Sequence, residues 1–488
     1  MNKKIKMGMV FFALCIIFVV VFWLMNHNKQ AESLVFESTP ILVEFNEGYD
    51  DFEGWGTSLA WWGHILGQWE DEAKFEEVMD LVFDVDEGLG LNVVRYNIGG
   101  GENPDIEENT LRPGGDVPGF QPEEGVWDWE ADEGQRNVLL AAFDRGATIA
   151  EAFANSPPYW MTVSGSVTGA DNGGNNLKDD YFDAFADYLT EVVKMYEEEH
   201  DITFQTLTPL NEPISSWWTK GNDQEGAHFN IEAQMKIIKE VASSLEEKGL
   251  NGTTVSASDE NSIDETLRVL KGYDDETLDS ITQINTHSYG GSRLEELNQF
   301  ANDNEKTLWM SEFGAGGSEE HNHQDMTSVM ELAEKITFDL RILQPSAWVY
   351  WQAVEDESAQ NNWGFIHSDF MSEESYELTK QYYAMANFSK FIRPGSRIIL
   401  PDNARSVAAY DEEERQLTIV MTNDSNDEKT LEFDLSAFNL NTESADVYIT
   451  SEEKDLESSE LKVYTNGLKI DLDKKSITTI VIDNVDKY

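Results

Sequence analysis

Eight short apolar runs recur along the middle of the chain, at 55–59, 91–98, 147–153, 204–210, 253–258, 281–287, 307–312 and 346–351, each of strand length. Between them the period changes. Ile231, Met235, Ile238, Ala242 and Leu245 recur near i, i+4 and i+7 and are followed by Gly249, which predicts an amphipathic helix with a glycine at its C-terminus. Met326, Val329, Met330, Ala333, Ile336 and Leu340 repeat that pattern. Strands alternating with helices over about 340 residues predict the α/β class, as a closed (β/α)8 TIM barrel spanning 51–393. Residues 99–129, rich in Gly, Pro and acids and without a period, read as a long loop over the active face of that barrel.

The texture differs on both sides of the barrel. Residues 34–36 and 41–45 read as short strands. From Arg397 the chain alternates apolar and polar positions, as at 416–422 and 447–450, and Asn466-Gly467 between 462–464 and 468–472 signals a hairpin. These segments predict an associated β-sandwich domain at 394–488, joined by N-terminal strands from 31–50. The absence of a repeat of 20 to 50 residues argues against a solenoid or propeller.

Ahead of everything, Lys3, Lys4 and Lys6 precede an uncharged apolar run at 7–25, long enough to cross a bilayer as a helix. Export follows as an expectation, with residues 1–30 serving either as an uncleaved anchor or as a cleaved signal peptide. The rest would lie outside the cell, secreted or tethered to the outer face of its membrane. Asn26-His-Asn-Lys-Gln-Ala-Glu32 lacks a clean small-x-small cleavage site.

Charge narrows the partners. Lys and Arg number 34 against 93 Asp and Glu, a formal charge of −59, so a nucleic acid backbone would be repelled while a neutral polysaccharide would not. Acids spread along the whole chain speak first of solvent. Cys15 is the only cysteine, so no intramolecular disulfide and no thiolate metal cluster can form. Asp171-Asn-Gly-Gly-Asn-Asn176 lacks the acid that an EF-hand requires and reads as a turn, and no Gly-x-Ser-x-Gly elbow follows a strand. No metal and no cofactor is expected, and a monomer suffices.

With so many acids, position must single out the chemical ones. Leu207-Thr-Pro-Leu-Asn-Glu-Pro213 and Leu308-Trp-Met-Ser-Glu-Phe-Gly314 each carry an apolar strand onto a glutamate, at the fourth and seventh predicted strands. Strand ends of a barrel face one mouth, so Glu212 and Glu312 are candidates for the paired carboxylates of glycoside hydrolysis. Trp62, Trp160 and Trp351 fall at strand ends where an indole face can stack on a sugar ring.

Seven motifs in order resemble glycoside hydrolase family 30. They are Gly54-Trp-Gly-Thr-Ser-Leu-Ala-Trp-Trp62, Val94-Arg-Tyr-Asn-Ile-Gly99, Asn155-Ser-Pro-Pro-Tyr-Trp-Met161, Leu210-Asn-Glu-Pro213, Thr286-His-Ser-Tyr289, Ser311-Glu-Phe-Gly314 and Phe388-Ser-Lys-Phe-Ile-Arg-Pro-Gly395. The resemblance implies a retaining β-glycanase with Glu212 as acid/base and Glu312 as nucleophile. It also implies that Arg95 and Tyr289 hydrogen-bond the nucleophile, that Asn211 orients the sugar 2-hydroxyl, and that Asn155 and His287 belong to the substrate site. An apolar surround of Trp217 and Trp218 would suit the proton donor. The first and third motifs are most similar to the endo-β-1,6-galactanase branch, with β-1,6-glucanase, glucuronoxylanase and exo-β-glycosidase activities still open; Arg293 is available for a uronate. The rival reading is a non-catalytic carbohydrate-binding surface protein on the same barrel.

Overall fold

The structure, a computed structural model, describes residues 32–103, 111–316, 325–356, 363–370 and 374–488. The apolar run 7–25 and Cys15 lie outside them. Among the described residues no helix is long and apolar enough to cross a membrane.

Eight parallel strands close into a barrel: β1 (Gly54–Ser58), β2 (Val93–Asn97), β3 (Ile149–Phe153), β4 (Thr206–Thr208), β5 (Thr254–Glu260), β6 (Gln283–His287), β7 (Thr307–Phe313) and β8 (Ala347–Gln352). Closure comes from β8, which pairs with β1 through Ala347↔Gly54 and with β7 through Ala347↔Trp309. Each predicted strand is present, with β5 running two residues past its apolar stretch onto Asp259 and Glu260. The helix Ile231–Lys248 forms as its period predicts, with the Asn230 side chain accepting from the Ala233 amide at 2.9 Å and Gly249 leaving it at φ 72°. Gly249 tolerates that left-handed turn because it has no Cβ.

The barrel interior is polar where the site will sit. Glu151 of β3 is fully buried and accepts from Arg95 Nε at 2.8 Å, Thr206 Oγ1 at 2.6 Å, Ser256 Oγ at 3.1 Å and the amides of Gln283 and Asn285 at 3.0 and 2.9 Å. A buried carboxylate tolerates such a place only when donors surround it, and four strands of the barrel supply them.

The β-domain is a ten-stranded sheet folded around its own core of Ile399, Leu417, Ile419, Phe433, Ile470 and Ile480. Its two outermost strands come from the N-terminal side of the chain. Ile41–Leu42 pairs in parallel with Lys429–Asp434, and Gly48–Tyr49 pairs antiparallel with Arg397–Ile399. The expected strand at 41–45 is therefore cut to two residues, because the chain must leave one edge of the sheet to reach the other by Gly48. Residues 34–36 form no strand. Leu34 is held instead by the Asn466 side chain, which accepts from its amide at 2.7 Å and donates to its carbonyl at 3.1 Å. The hairpin strands Glu457–Tyr464 and Gly467–Leu472 meet at Tyr464↔Gly467.

Barrel and β-domain share a seam. Thr479 Oγ1 donates to the Asn387 carbonyl at 2.7 Å, and Arg341 to the carbonyls of Pro401 and Ser406 at 3.0 and 2.8 Å. Val407, Val420 and Ile477 belong to the same apolar cluster as the barrel helices, so the two parts pack as one body.

Candidate active site

Both glutamates reach the same end of the barrel by different routes. Glu312 lies inside β7, one residue before its end. Glu212 comes four residues after β4 has finished, on left-handed backbone at φ 47°, with its amide donating to the Asp259 carbonyl at 2.8 Å. Trp61 and Asp259 are also left-handed, at φ 72° and 59°. Each such residue with a Cβ costs on the order of 1–3 kcal/mol, which a fold sustains where surrounding bonds impose it.

His287 at the end of β6 stands between the two acids. Its Nδ1 is 3.2 Å from Glu212 Oε1 and 3.4 Å from Glu312 Oε1, and its Nε2 is 3.3 Å from Asp259 Oδ1, an electrostatic contact rather than an aligned hydrogen bond. Tyr289 donates to Glu312 Oε1 at 3.1 Å, and Asn261 donates to Glu212 Oε1 at 2.6 Å. Glu312 Oε2 is buried without a hydrogen bond from the described residues. One ligand atom from each of Glu212, His287 and Glu312 falls within 4.8 Å of the others. That spacing would admit a metal ion, but the imidazole already occupies the position of countercharge between the two carboxylates.

Arg95 departs from the role its motif implied. Its guanidinium is fully buried over the Phe153 ring and donates to Glu151 at 2.8 Å, Asp259 at 2.7 Å and the Ser311 carbonyl at 3.1 Å. Glu312 Oε2 is 3.8 Å away, an ion pair without a hydrogen bond. Arg95 thus acts on Glu312 as a fixed charge and through the backbone of its neighbour.

The electrostatics follow from burial and these contacts. Burial disfavours the Asp259 charge, yet Arg95 and His287 hold its carboxyl well below the usual carboxylate range. Burial pulls the His287 imidazole down, but the Glu312 and Asp259 carboxylates raise it to about 10, so it is a cation at neutral pH. Burial pushes Glu312 up, His287 pulls it down and the nearby Glu212 charge pushes it up again, leaving it at about 7.

Around the pair lies a cleft lined by Trp61, Asn155, Asn211, Glu212, Trp217, Trp218, Gln224, Glu225, Asn261, Tyr289, Glu312, Trp351 and Trp363. Asn155, Asn211, Tyr289 and Trp351 of the expected substrate residues line this cleft, and the Asn211 side-chain oxygen is buried without a hydrogen bond from the described residues. Trp62 is not. It is fully buried with its indole donating to the Ser58 carbonyl at 2.8 Å, while Trp61 faces the cleft and packs edge-on against Trp351 at 4.9 Å. Trp160 is also outside the lining: its indole donates to the Gln121 carbonyl at 2.8 Å and so pins the loop that covers the barrel. The Trp218 indole donates to the Glu212 carbonyl at 3.0 Å, and Trp217 is half exposed. Arg293 pairs with Glu296 at 2.6 Å, away from the cleft lining. Sequence reading missed Asp259, Asn261, Glu225, Trp61 and Trp363. For Asp259 and Asn261 a signal existed in the polar Ser-Asp-Glu-Asn that ends the fifth strand.

Comparison with known proteins decides the family. The O-Glycosyl hydrolase family 30 description matches residues 38–362, well over half of the chain. The chain belongs to glycoside hydrolase family 30. It is an O-glycosyl hydrolase, which sets aside the non-catalytic reading. An endo-beta-1,6-galactanase of Hypocrea rufa is 31% identical over 416 residues, covering 82% of this chain and 84% of that protein. An exo-beta-1,6-galactobiohydrolase of Bifidobacterium longum is 25% identical over 560 residues, covering 85% of this chain and 36% of the other. Among solved structures, a conserved exported protein from Bacteroides fragilis superposes with a TM-score of 0.77 at 20% identity, covering 91% of this chain and 100% of that one. That likeness is one of fold.

Proposed function

We propose that this family 30 enzyme is an exported, retaining endo-β-1,6-galactanase that cleaves galactan side chains of arabinogalactan by double displacement. The observation that carries the mechanism is the spacing of the acids, whose facing oxygens lie within 4.8 Å. Retaining glycosidases hold their carboxyl groups about 5–5.5 Å apart, whereas inverting ones leave about 6.5–9.5 Å for a water. Glu212, in its protonated form, gives its proton to the glycosidic oxygen while Glu312 attacks the anomeric carbon. A glycosyl ester on Glu312 results, and Glu212 as carboxylate then takes a proton from the water that cleaves it. Tyr289, His287 and the Arg95 charge hold the attacking carboxylate in place, and Asn211 with its free oxygen faces the sugar.

The sugar assignment draws support from the Hypocrea rufa relative and from the charge of the cleft. Among the described lining residues there are three carboxyls and no lysine or arginine, a surface suited to a neutral galactan rather than to a uronate-bearing xylan. The tryptophans offer apolar faces to the pyranose rings. Export rests on the apolar run 7–25 behind three lysines.

The test is a panel of β-1,6-galactan, β-1,6-glucan and glucuronoxylan, with product lengths measured and the first anomer followed by NMR. Oligosaccharides from galactan with retained configuration are expected. Release of monosaccharide or disaccharide alone would replace the endo reading by an exo one, and an inverted first product would overturn double displacement.

A further inference from the structure

Glu225 sits on the loop between β4 and the helix Ile231–Lys248, 2% exposed, and lines the cleft beside Gln224. Its two carboxyl oxygens share one donor, the Gly100 amide, at 3.2 and 3.4 Å. The carboxyls of Asp116 and Asp132 act on it through space, as it does on the phenol of Tyr188. Burial, with the Asp116 and Asp132 carboxyls adding to it, pushes this carboxyl well above the usual range and so favours its protonated form.

A protonated carboxyl carries an O–H donor. The Gly100 amide is a donor as well and cannot accept from it. Glu225 therefore has a hydrogen to give and a cleft to give it into.

We propose that Glu225 is a specificity-determining residue, donating its O–H to a hydroxyl of the sugar bound in the cleft that the Trp61–Trp351 pair also lines. The inference rests on the reading of this cleft as the saccharide site. A site built around a substrate hydroxyl rejects the sugar that lacks it, because the buried donor is then left unpaired.

Three variants test it on whichever neutral oligosaccharide of the panel the wild-type enzyme hydrolyses, so a wrong sugar assignment leaves the test intact. Glu225→Gln keeps the shape and an N–H donor and should stay within about threefold of wild type in kcat/KM, whereas Glu225→Leu should lose about 10- to 100-fold. Glu225→Met serves in the same role if the leucine variant does not fold. A series of monodeoxy substrates then identifies the hydroxyl. On one of them the leucine penalty should vanish, as contacts removed together do not add. Wild-type kcat/KM in the apolar variant would overturn the proposal. So would a penalty equal across the whole deoxy series, or a glutamine variant as impaired as the leucine one.

Discussion

Glu312 and Glu212 face each other within 4.8 Å, but the chain holds them in opposite ways. Glu312 is carried by a hydrogen-bonded strand, and its carboxylate is caged by Tyr289, His287 and the Arg95 charge. Glu212 stands beyond its strand on left-handed backbone, secured by the Asp259 carbonyl at its amide and by the Asn261 side chain at its carboxyl. A group that attacks one carbon gains from immobility. A group that must first give a proton to a leaving oxygen and later take one from water gains from a separately braced position. Both braces converge on the end of β5: Asp259 reaches Glu312 through Ser311 and His287 and Glu212 through its own carbonyl, while the neighbouring Asn261 reaches Glu212 directly.

Removing either acid breaks this contrast most sharply. Glu312→Gln should cost about 10^4-fold or more in kcat with any substrate, with circular dichroism and melting showing an intact fold. Unchanged hydrolysis would remove Glu312 from the mechanism. Glu212→Ala should lose about 10^2- to 10^4-fold on polysaccharide. On an aryl galactoside with an activated leaving group, azide should restore its turnover, and a failure of azide to do so would reassign the acid/base.

A subtler effect is expected from His287, the cation shared by both acids. The acid limb of kcat/KM should have an apparent midpoint near 7, because Glu312 must lose its proton to attack and is held at about 7. His287 pulls that value down, so His287→Gln should move the limb to higher pH. A limb that stays in place would detach His287 from the pair. The smallest effect on activity separates the tryptophans. Trp351→Ala should raise KM by up to ~10-fold through lost stacking. Trp62→Ala should leave the KM of the folded enzyme alone and lower stability by ~3–5 kcal/mol, as for a large core side chain.

Much of this was legible in the sequence, for identifiable physical reasons. Barrel strands announce themselves as apolar runs, and Glu312 stood out because a charge at the end of such a run has few structural uses. The same rule obscured Asp259: the apolar run stops at Ser258, and the polar residues after it do not by themselves say that the strand continues through two buried acids. Trp61 and Trp62 exchanged roles because alternation along β1 ends at Ser58 and the left-handed turn at Trp61 reverses which indole faces inward. Glu225 lies on an aperiodic loop, where local pattern carries no information about burial; only the tertiary fold makes it distinctive.

The two N-terminal strands that border the β-domain tie the order of synthesis to the order of folding. Ile41 meets its partner Phe433 only after about 390 further residues exist, which at roughly 5–20 residues per second is about 20–80 s of elongation. Throughout that interval its sheet edge has nowhere native to go. Completion of this sheet is therefore a terminal event of synthesis, and any truncation that removes residues 429–434 leaves Ile41 and Leu42 without their partner strand.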